Sequence, residues 1–361
     1  MNKLLPFALL VCAFLCGCGD GTTVDAAAES KPKETPETLA AAARDAIVRG
    51  HGQTALDAAE KALALLPDSA EYTLLLGEAA YAAGDVQKAL DAFESVIAEK
   101  SLPKTLLSQA YSNKAVLELE TGEMRTAALL DFARAVRLDY DNARAWYHFA
   151  RCSYAANFPQ AAEKQFLLAK TCPGLDKNHL ERINATLLPA VSAAAKATIV
   201  DIPEAKRQAA DNHYKAYKNA MSIASQRAPV VRGKTSAQAK SDARAQAKKS
   251  ITAAYNANPS NGYIAHDYAK MLAANNGGSQ AFEAYKHACA AKQLPSVYIE
   301  AAKYALKVQP NGMEACSILA RGFASTYGMN RELVELYAQA LRAAGRTAEA
   351  AQYAAFANEM K

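Results

Sequence analysis

The sequence lacks the short motifs by which catalytic and cofactor-binding sites are recognised. It contains neither GxGxxG nor GxxxxGK[ST], so it offers no glycine-rich cradle for phosphate groups. Its six histidines are dispersed, without HExxH and without His and Cys residues at zinc-ligand spacing. These absences exclude the common signatures of nucleotide-dependent and zinc-dependent enzymes. They predict a non-enzymatic protein with no cofactor and no metal.

Strand-like patterns and long apolar runs are scarce as well. From Thr38 onward there is no sustained alternation of β-branched residues, and Ala, Leu, Glu and Lys dominate, as helices prefer. The longest apolar run, Leu4 to Leu15, is too short to span a bilayer, which takes about 20 residues. The sequence therefore predicts an all-α protein whose first apolar run is a signal segment.

Three of the seven cysteines, Cys12, Cys16 and Cys18, lie within seven residues near the start of the chain. They accompany the apolar run, which follows Lys3 and ends in the letters LCGC at residues 15–18. This arrangement resembles the lipobox of bacterial lipoproteins, and only Cys18 has a small residue directly before it. The resemblance implies that Cys18 is lipidated and that Cys12 and Cys16 are removed with the signal peptide. The alternative is an ordinary secretory signal with incidental cysteines.

The lipobox resemblance implies a lipid-anchored protein of the bacterial cell envelope. We expect a signal peptide over residues 1–17 and a flexible tether over 18–36, which is small, polar and proline-containing. Gly19 after the cysteine favours the periplasmic side of the outer membrane in a cell with two membranes. In that oxidising compartment, the remaining cysteines are either disulfide-bonded or buried thiols. They are Cys152, Cys172, Cys289 and Cys316.

Small residues recur along the body of the chain at a spacing of 34 residues. The stretch AWYHFARCSYAANFPQAAEKQFLLAK, at 145–170, adds Trp146, Phe149 and Phe166 at fixed places around such small residues. This pattern resembles the tetratricopeptide repeat (TPR), a 34-residue helix–turn–helix unit. The pairs of small residues are Gly50 and Gly84, Ala55 and Ala89, Ala135 and Ala169, and Ala254 and Ala288.

The TPR resemblance implies an all-α solenoid of stacked helix pairs, wound as a right-handed superhelix. We expect an N-terminal TPR array over 37–172 and C-terminal TPR-like helices over 260–361. Between them, we expect residues 173–259 to form irregular helices followed by an elongated hairpin. The hairpin is basic. Between Lys206 and Lys249 there are eleven Lys and Arg residues but only two acidic residues, Asp211 and Asp242, so the net charge of this segment is 11 − 2 = +9.

Function in TPR proteins usually resides on the concave face formed by the first helix of each pair. Applied to the first helices of this sequence, the same arrangement predicts a concave groove. We expect this groove to bind a protein or peptide partner in the envelope and not nucleic acid. Two alternatives stay open, namely ordinary solvated residues and a glycan-binding face that uses the aromatic residues. The groove candidates are Glu71, Glu78, Tyr81, Arg144, Tyr147, Arg151, Tyr154, Tyr263, His266 and Lys270.

The elongated hairpin supplies a second candidate surface. Its cations could contact an anionic surface, such as lipid head groups, an acidic protein or an acidic polysaccharide. Alternatively, they keep an alanine-rich helix pair soluble. The basic-patch candidates are Arg227, Arg232, Lys234, Lys240, Lys248 and Lys249.

Overall fold

The computed structural model describes residues 34–121, 125–198 and 201–360. The predicted signal peptide, Cys18 and most of the predicted tether lie outside these residues. The regular elements of the described residues are all helices. The first eight, α1 to α8, are Pro36–Val48, Gly52–Leu65, Ala70–Ala83, Val86–Ala98, Lys104–Thr121, Arg125–Leu138, Ala143–Ala155 and Pro159–Thr171.

The rest of the chain continues as helices in three groups. A short irregular group contains α9, a π-helical turn and α10, which are Lys177–Arg182, Ile183–Leu187 and Leu188–Ala197. A long hairpin follows, formed by α11 (Glu204–Ser225) and α12 (Ser236–Ala257). The C-terminal array is α13 to α18, which are Gly262–Ala274, Gly278–Ala291, Pro295–Val308, Met313–Ser325, Arg331–Ala343 and Thr347–Glu359.

Within the N-terminal and the C-terminal arrays, the two helices of each pair pack against each other, and each pair packs on the next. The predicted all-α helix–turn–helix solenoid with one elongated basic hairpin is therefore confirmed. The helix limits follow local chemistry. Ser69 accepts a hydrogen bond from the backbone N–H of Tyr72 at the start of α3, and Asp85 accepts one from Lys88 at the start of α4. Gly84 ends α3 in a left-handed conformation with φ of 83°, which glycine adopts without strain.

Close contact between small and aromatic residues holds each pair together. A Cβ atom built on Gly77 in α3 would lie only 2.5 Å from the ring of Phe93 in α4, and Phe93 is itself buried. Because glycine leaves that space, the aromatic ring fills it and the two helices approach closely. Trp146 plays a related role in α7, where it is fully buried and donates from Nε1 to the carbonyl oxygen of Tyr140 at 2.7 Å.

The C-terminal array packs back against the N-terminal array and shares one hydrophobic core with it. The contact joins α6 to α18 and α8 to α16, all of them second helices of their pairs. Tyr353 donates from Oη to the carbonyl oxygen of Thr126 at 2.9 Å, and Gln165 donates to that of Ala324 at 3.0 Å. The ring of Tyr327 meets Trp146 edge-on, with centroids 5.0 Å apart. We call this contact the seam.

Of the two alternatives for the cysteines, disulfide bonds or buried thiols, the structure shows buried thiols. Cys172, Cys289 and Cys316 are free and buried, so neither Cys152–Cys172 nor Cys289–Cys316 is a disulfide in this structure. Cys172 donates from Sγ to the carbonyl oxygen of Tyr140 at 3.4 Å. Burial raises the pKa of the Cys289 thiol to about 12, which keeps it protonated and unreactive.

Candidate functional site

The first helices of the N-terminal array, α1, α3, α5 and α7, form a groove made of two adjoining cavities. The larger has a volume of about 340 Å³ and lies between α1, α3 and the start of α5. The smaller, of about 160 Å³, continues between α1, α3, α5 and α7. Glu78 lines both cavities, so they are neighbouring parts of one surface. We call this surface the N-terminal groove.

Four of the predicted site residues meet in this groove. Glu71 and Glu78 line the larger cavity, whereas Glu78, Tyr81 and Arg144 line the smaller one. The polar side chains are held by neighbouring helices. Asn113 of α5 donates from Nδ2 to Glu78 at 2.9 Å, so the position of this carboxylate is fixed.

Tyr81 occupies the middle of the groove and is tied to the next pair. Its hydroxyl donates to the carboxylate of Glu120 in α5. Burial and this hydrogen bond raise the pKa of Tyr81 to about 12, while the guanidinium groups of Arg144 and Arg151 oppose the rise. Of these two arginines, Arg144 lines the smaller cavity beside Tyr81, and Arg151 lies two turns further along α7. The groove thus changes from acidic at α3 to basic at α7.

His148 lies beneath this basic end. Its ring is buried, and Arg151 donates from Nη1 to His148 Nδ1 at 3.3 Å. Arginine has no acceptor, so the contacted nitrogen is the unprotonated one of a neutral imidazole. Burial, Arg144 and Arg151 lower the pKa of His148 to about 2. The cationic character of the basic end therefore comes from its arginines and not from this histidine.

Two predicted groove residues are not available to a ligand, which corrects the sequence prediction. Tyr147 is fully buried, because α9 places the ring of His179 against it with centroids 4.2 Å apart. His266 is also buried and contacts Glu300 of α15 at 2.9 Å through Nε2. Both side chains contribute to helix packing instead.

The other predicted residues take different positions. Tyr154 is exposed at the end of α7. Tyr263 is 60% exposed on α13, where the Lys292 ammonium lies 4.1 Å from the centroid of its ring. Lys270 pairs with Glu300 at 3.7 Å. The α13 set belongs to the C-terminal array and is separate from the N-terminal groove.

The structure adds groove residues that the sequence analysis did not single out. Arg44 and Ile47 come from α1, and Gln109, Asn113 and Val116 come from α5. Arg44 and Ile47 lie 34 residues before Glu78 and Tyr81, so applying the same frame to α1 would have found them. Asn113 and Val116 lie 35 residues after Glu78 and Tyr81, one residue off the repeat spacing, so the frame alone would have missed them.

The predicted basic patch lies on the long hairpin. Arg227, Arg232 and Lys234 are in the loop that joins α11 and α12, and Lys240, Lys248 and Lys249 are on α12. Lys234 pairs with Asp242, and Lys240 donates to the carbonyl oxygen of Arg227 at 3.0 Å.

Over the described ranges, no three His, Cys, Asp or Glu side chains come together in a way that could hold a metal ion. None of the helices in that part of the chain combines the length and the apolarity needed to cross a bilayer.

Comparison with known proteins finds similarity only at the level of solved structures. No protein-family model matches the chain, and a search of curated proteins finds no relative. Several solved TPR structures resemble it. A tetratricopeptide repeat protein from Parabacteroides merdae is 14% identical, with 85% of this chain and 98% of that chain covered and a TM-score of 0.32.

Two further structures are similar at the same low level. The TPR2AB domain–pHSP90 complex of yeast Sti1 is 13% identical, covering 84% of this chain and 98% of that one, with a TM-score of 0.28. A thermophilic TPR protein of Thermus thermophilus is 16% identical, covering 76% and 100%, with a TM-score of 0.25. At these values the similarities carry no statement about function.

Proposed function

We propose that this protein is a non-enzymatic scaffold that binds a segment of a protein partner along its N-terminal groove. The observation that carries the proposal is the joining of side chains from four successive first helices into two cavities that share Glu78. A surface built from several repeats suits an extended segment better than a small molecule, because each repeat adds one more contact place.

The charge distribution of the groove sets the expected orientation of that segment. Glu71 and Glu78 form the acidic end, Arg144 lines the basic end, and Arg151 follows it two turns further along α7. A partner segment with basic residues toward α3 and acidic residues toward α7 would match both ends. Tyr81 and the two arginines belong to the residue types that dominate binding energy at protein interfaces.

The glycan-binding alternative finds less support. It relies on aromatic faces that can stack on sugar rings, and the ring of Tyr147 is buried. The ring of Tyr263 is exposed but has the Lys292 ammonium over it. The N-terminal groove is lined mainly by charged, amide and aliphatic side chains.

The cellular setting is a further part of the proposal. The LCGC pattern at residues 15–18 supports a lipid anchor at Cys18, and Gly19 favours the outer membrane, facing the periplasm, in a cell with two membranes. An anchored scaffold of this kind would hold its partner near the membrane, for example during assembly of an envelope complex. These statements rest on the sequence alone, since Cys18 lies outside the described residues.

Affinity capture from membranes tests the scaffold proposal. The wild-type chain is compared with Arg144→Glu/Arg151→Glu, and the matched control is Lys307→Glu/Arg342→Glu, which reverses two exposed cations of the C-terminal array. The captured partner is then purified and titrated against each variant. We expect the groove variant to bind about 10- to 100-fold more weakly, because two hot-spot cations are reversed, and the control to bind like wild type. Equal binding by all three chains would contradict the proposal.

A further inference from the structure

The long hairpin of α11 and α12 packs on the rest of the chain near its base. There, Ala210, Ile251 and Ala254 form a small core with Ile264 of α13. Tyr214 donates from Oη to Asp267 of α13 at 2.8 Å. Above this level, the buried residues of the two helices are alanines, namely Ala220, Ala239, Ala243 and Ala247, and the loop buries Pro229.

The far end of the hairpin therefore stands away from the body. From Tyr217, the last residue of α11 that packs against the base cluster, the helix continues to Ser225. At a rise of about 1.5 Å per residue, these eight residues carry the connecting loop about 12 Å further out. We call residues 221–235, which include the end of α11 and this loop, the tip.

The tip and the first turns of α12 carry a concentrated positive charge. Five cations lie between residues 226 and 244, against one acid, Asp242, which gives 5 − 1 = +4. Asp242 is paired with Lys234, and the ammonium of Lys240 holds the loop by donating to the carbonyl oxygen of Arg227. The five cations are Arg227, Arg232, Lys234, Lys240 and Arg244.

The same tip exposes apolar side chains. Val230, in the middle of the loop, is 97% exposed, and Met221, near the end of α11, is 43% exposed. Among the described residues of the hairpin, they are the only large hydrophobic side chains that are exposed, and both lie at its outer end. Leaving a valine fully in water forgoes the free energy that burial would give.

A fully exposed valine, flanked by Arg227 and Arg232 in the loop at the far end of the hairpin, matches one kind of partner best. An anionic lipid surface offers phosphate groups to Arg227, Arg232 and Lys234 and an acyl boundary to Val230. A soluble acidic polysaccharide would engage the cations but provide no apolar phase for the valine. We propose that the tip docks on an anionic lipid surface, with Val230 entering the interface and the three cations among the head groups.

Vesicle binding tests this proposal independently of the N-terminal groove. Every sample begins at Gly19, so that neither the signal segment nor an acyl chain contributes to binding. Partition onto phosphatidylcholine vesicles containing phosphatidylglycerol is compared with partition onto phosphatidylcholine alone. The tip variant is Arg227→Glu/Arg232→Glu/Lys234→Glu. The control, Lys61→Glu/Lys170→Glu/Lys307→Glu, gives the same change in net charge at exposed positions of α2, α8 and α15.

We expect binding that depends on phosphatidylglycerol and that falls by about 100-fold in the tip variant, since each cation near an anionic surface contributes about a factor of five or more. The control variant should lose only a small part of the binding. Circular dichroism melts show whether each variant remains folded. Equal loss in the two variants, or equal binding to uncharged vesicles, would overturn the proposal.

A tryptophan at the tip tests insertion of the valine position. The only tryptophan of the chain is Trp146, which is buried, so the emission of a Val230→Trp variant separates from its background. We expect a blue shift and protection from acrylamide on vesicles that contain phosphatidylglycerol. An unshifted spectrum with the protein bound would overturn the insertion of residue 230. Tight binding to dextran sulfate with no vesicle binding would overturn the lipid assignment.

Discussion

Substitution of Gly328 by alanine tests the seam between the two arrays. Gly328 lies in the loop after α16 with φ of 68°, and a Cβ atom there would lie 2.8 Å from Ala133 Cβ of α6 and 2.8 Å from the Phe323 ring. Alanine in a left-handed conformation costs about 1–2 kcal/mol. Overpacking a filled core adds about 1–3 kcal/mol. We expect Gly328→Ala to lower the free energy of unfolding by about 2–5 kcal/mol.

Gly345→Ala is the matched control for this measurement. Gly345 has φ of 78°, but a Cβ atom there meets nothing within 4 Å, so only the backbone cost of about 1–2 kcal/mol applies. Urea unfolding, followed through Trp146 beside the seam, measures both variants. Ala133→Gly should recover about 1 kcal/mol of the Gly328→Ala loss in a double-mutant cycle, because it removes one of the clashing methyl groups. If Gly328→Ala and Gly345→Ala lowered the free energy of unfolding equally, with no coupling to Ala133, the packing of Gly328 against α6 in the seam would be refuted.

Two further predictions concern pH and the anchor. The pKa of His148 is about 2 in the folded chain against an ordinary value of 6.5, so the unfolded chain takes up a proton on acidification and the folded chain does not. Stability contributed by this site is therefore present above pH 6.5 and is lost, by about 1.4 kcal/mol per pH unit, as the pH falls below it. Urea midpoints should fall less steeply between neutral and mildly acidic pH in His148→Phe than in wild type. Labelled palmitate fed to cells should be incorporated into the wild-type chain and not into Cys18→Ala.

Each of these two predictions has its own control. Exposed His213 is the comparison for His148, and His213→Asn should keep the acid sensitivity of the wild type. An unchanged slope in His148→Phe would show that the buried imidazole is not the cause. Cys12→Ala should still incorporate palmitate, because Cys12 lies in the segment that is removed. Label retained in Cys18→Ala would refute the anchor assignment.

Local helix structure and pairing were predictable from the sequence. The elongated hairpin that the sequence predicts within residues 173–259 corresponds to α11 and α12. The contact of Gly77 with Phe93 is the small-and-aromatic pair that the repeat pattern predicts. Such features depend on residues close in sequence, where helix propensity, capping and a 34-residue period act together.

The seam was not predictable in the same way. It joins Thr126 to Tyr353 and Gln165 to Ala324, residues separated by 227 and 159 positions. Alanine, glycine and tyrosine suit both a first-helix and a second-helix face, so their pattern does not reveal which distant surface will cover them. The burial of Tyr147 has a similar origin, because it depends on α9, whose sequence matches no repeat.

The position of a photo-crosslinker in the groove tests the central claim most directly. Benzoylphenylalanine is placed at Gln109 of α5, which lines the larger cavity, and at the exposed Gln339 of α17 as the control. Both chains are irradiated in cells, and the crosslinked peptides are sequenced by mass spectrometry. A partner that docks along the groove gives a defined protein adduct from position 109 and none of it from position 339. Absence of any adduct at 109, or the same adduct from both positions, would contradict the groove as the binding site.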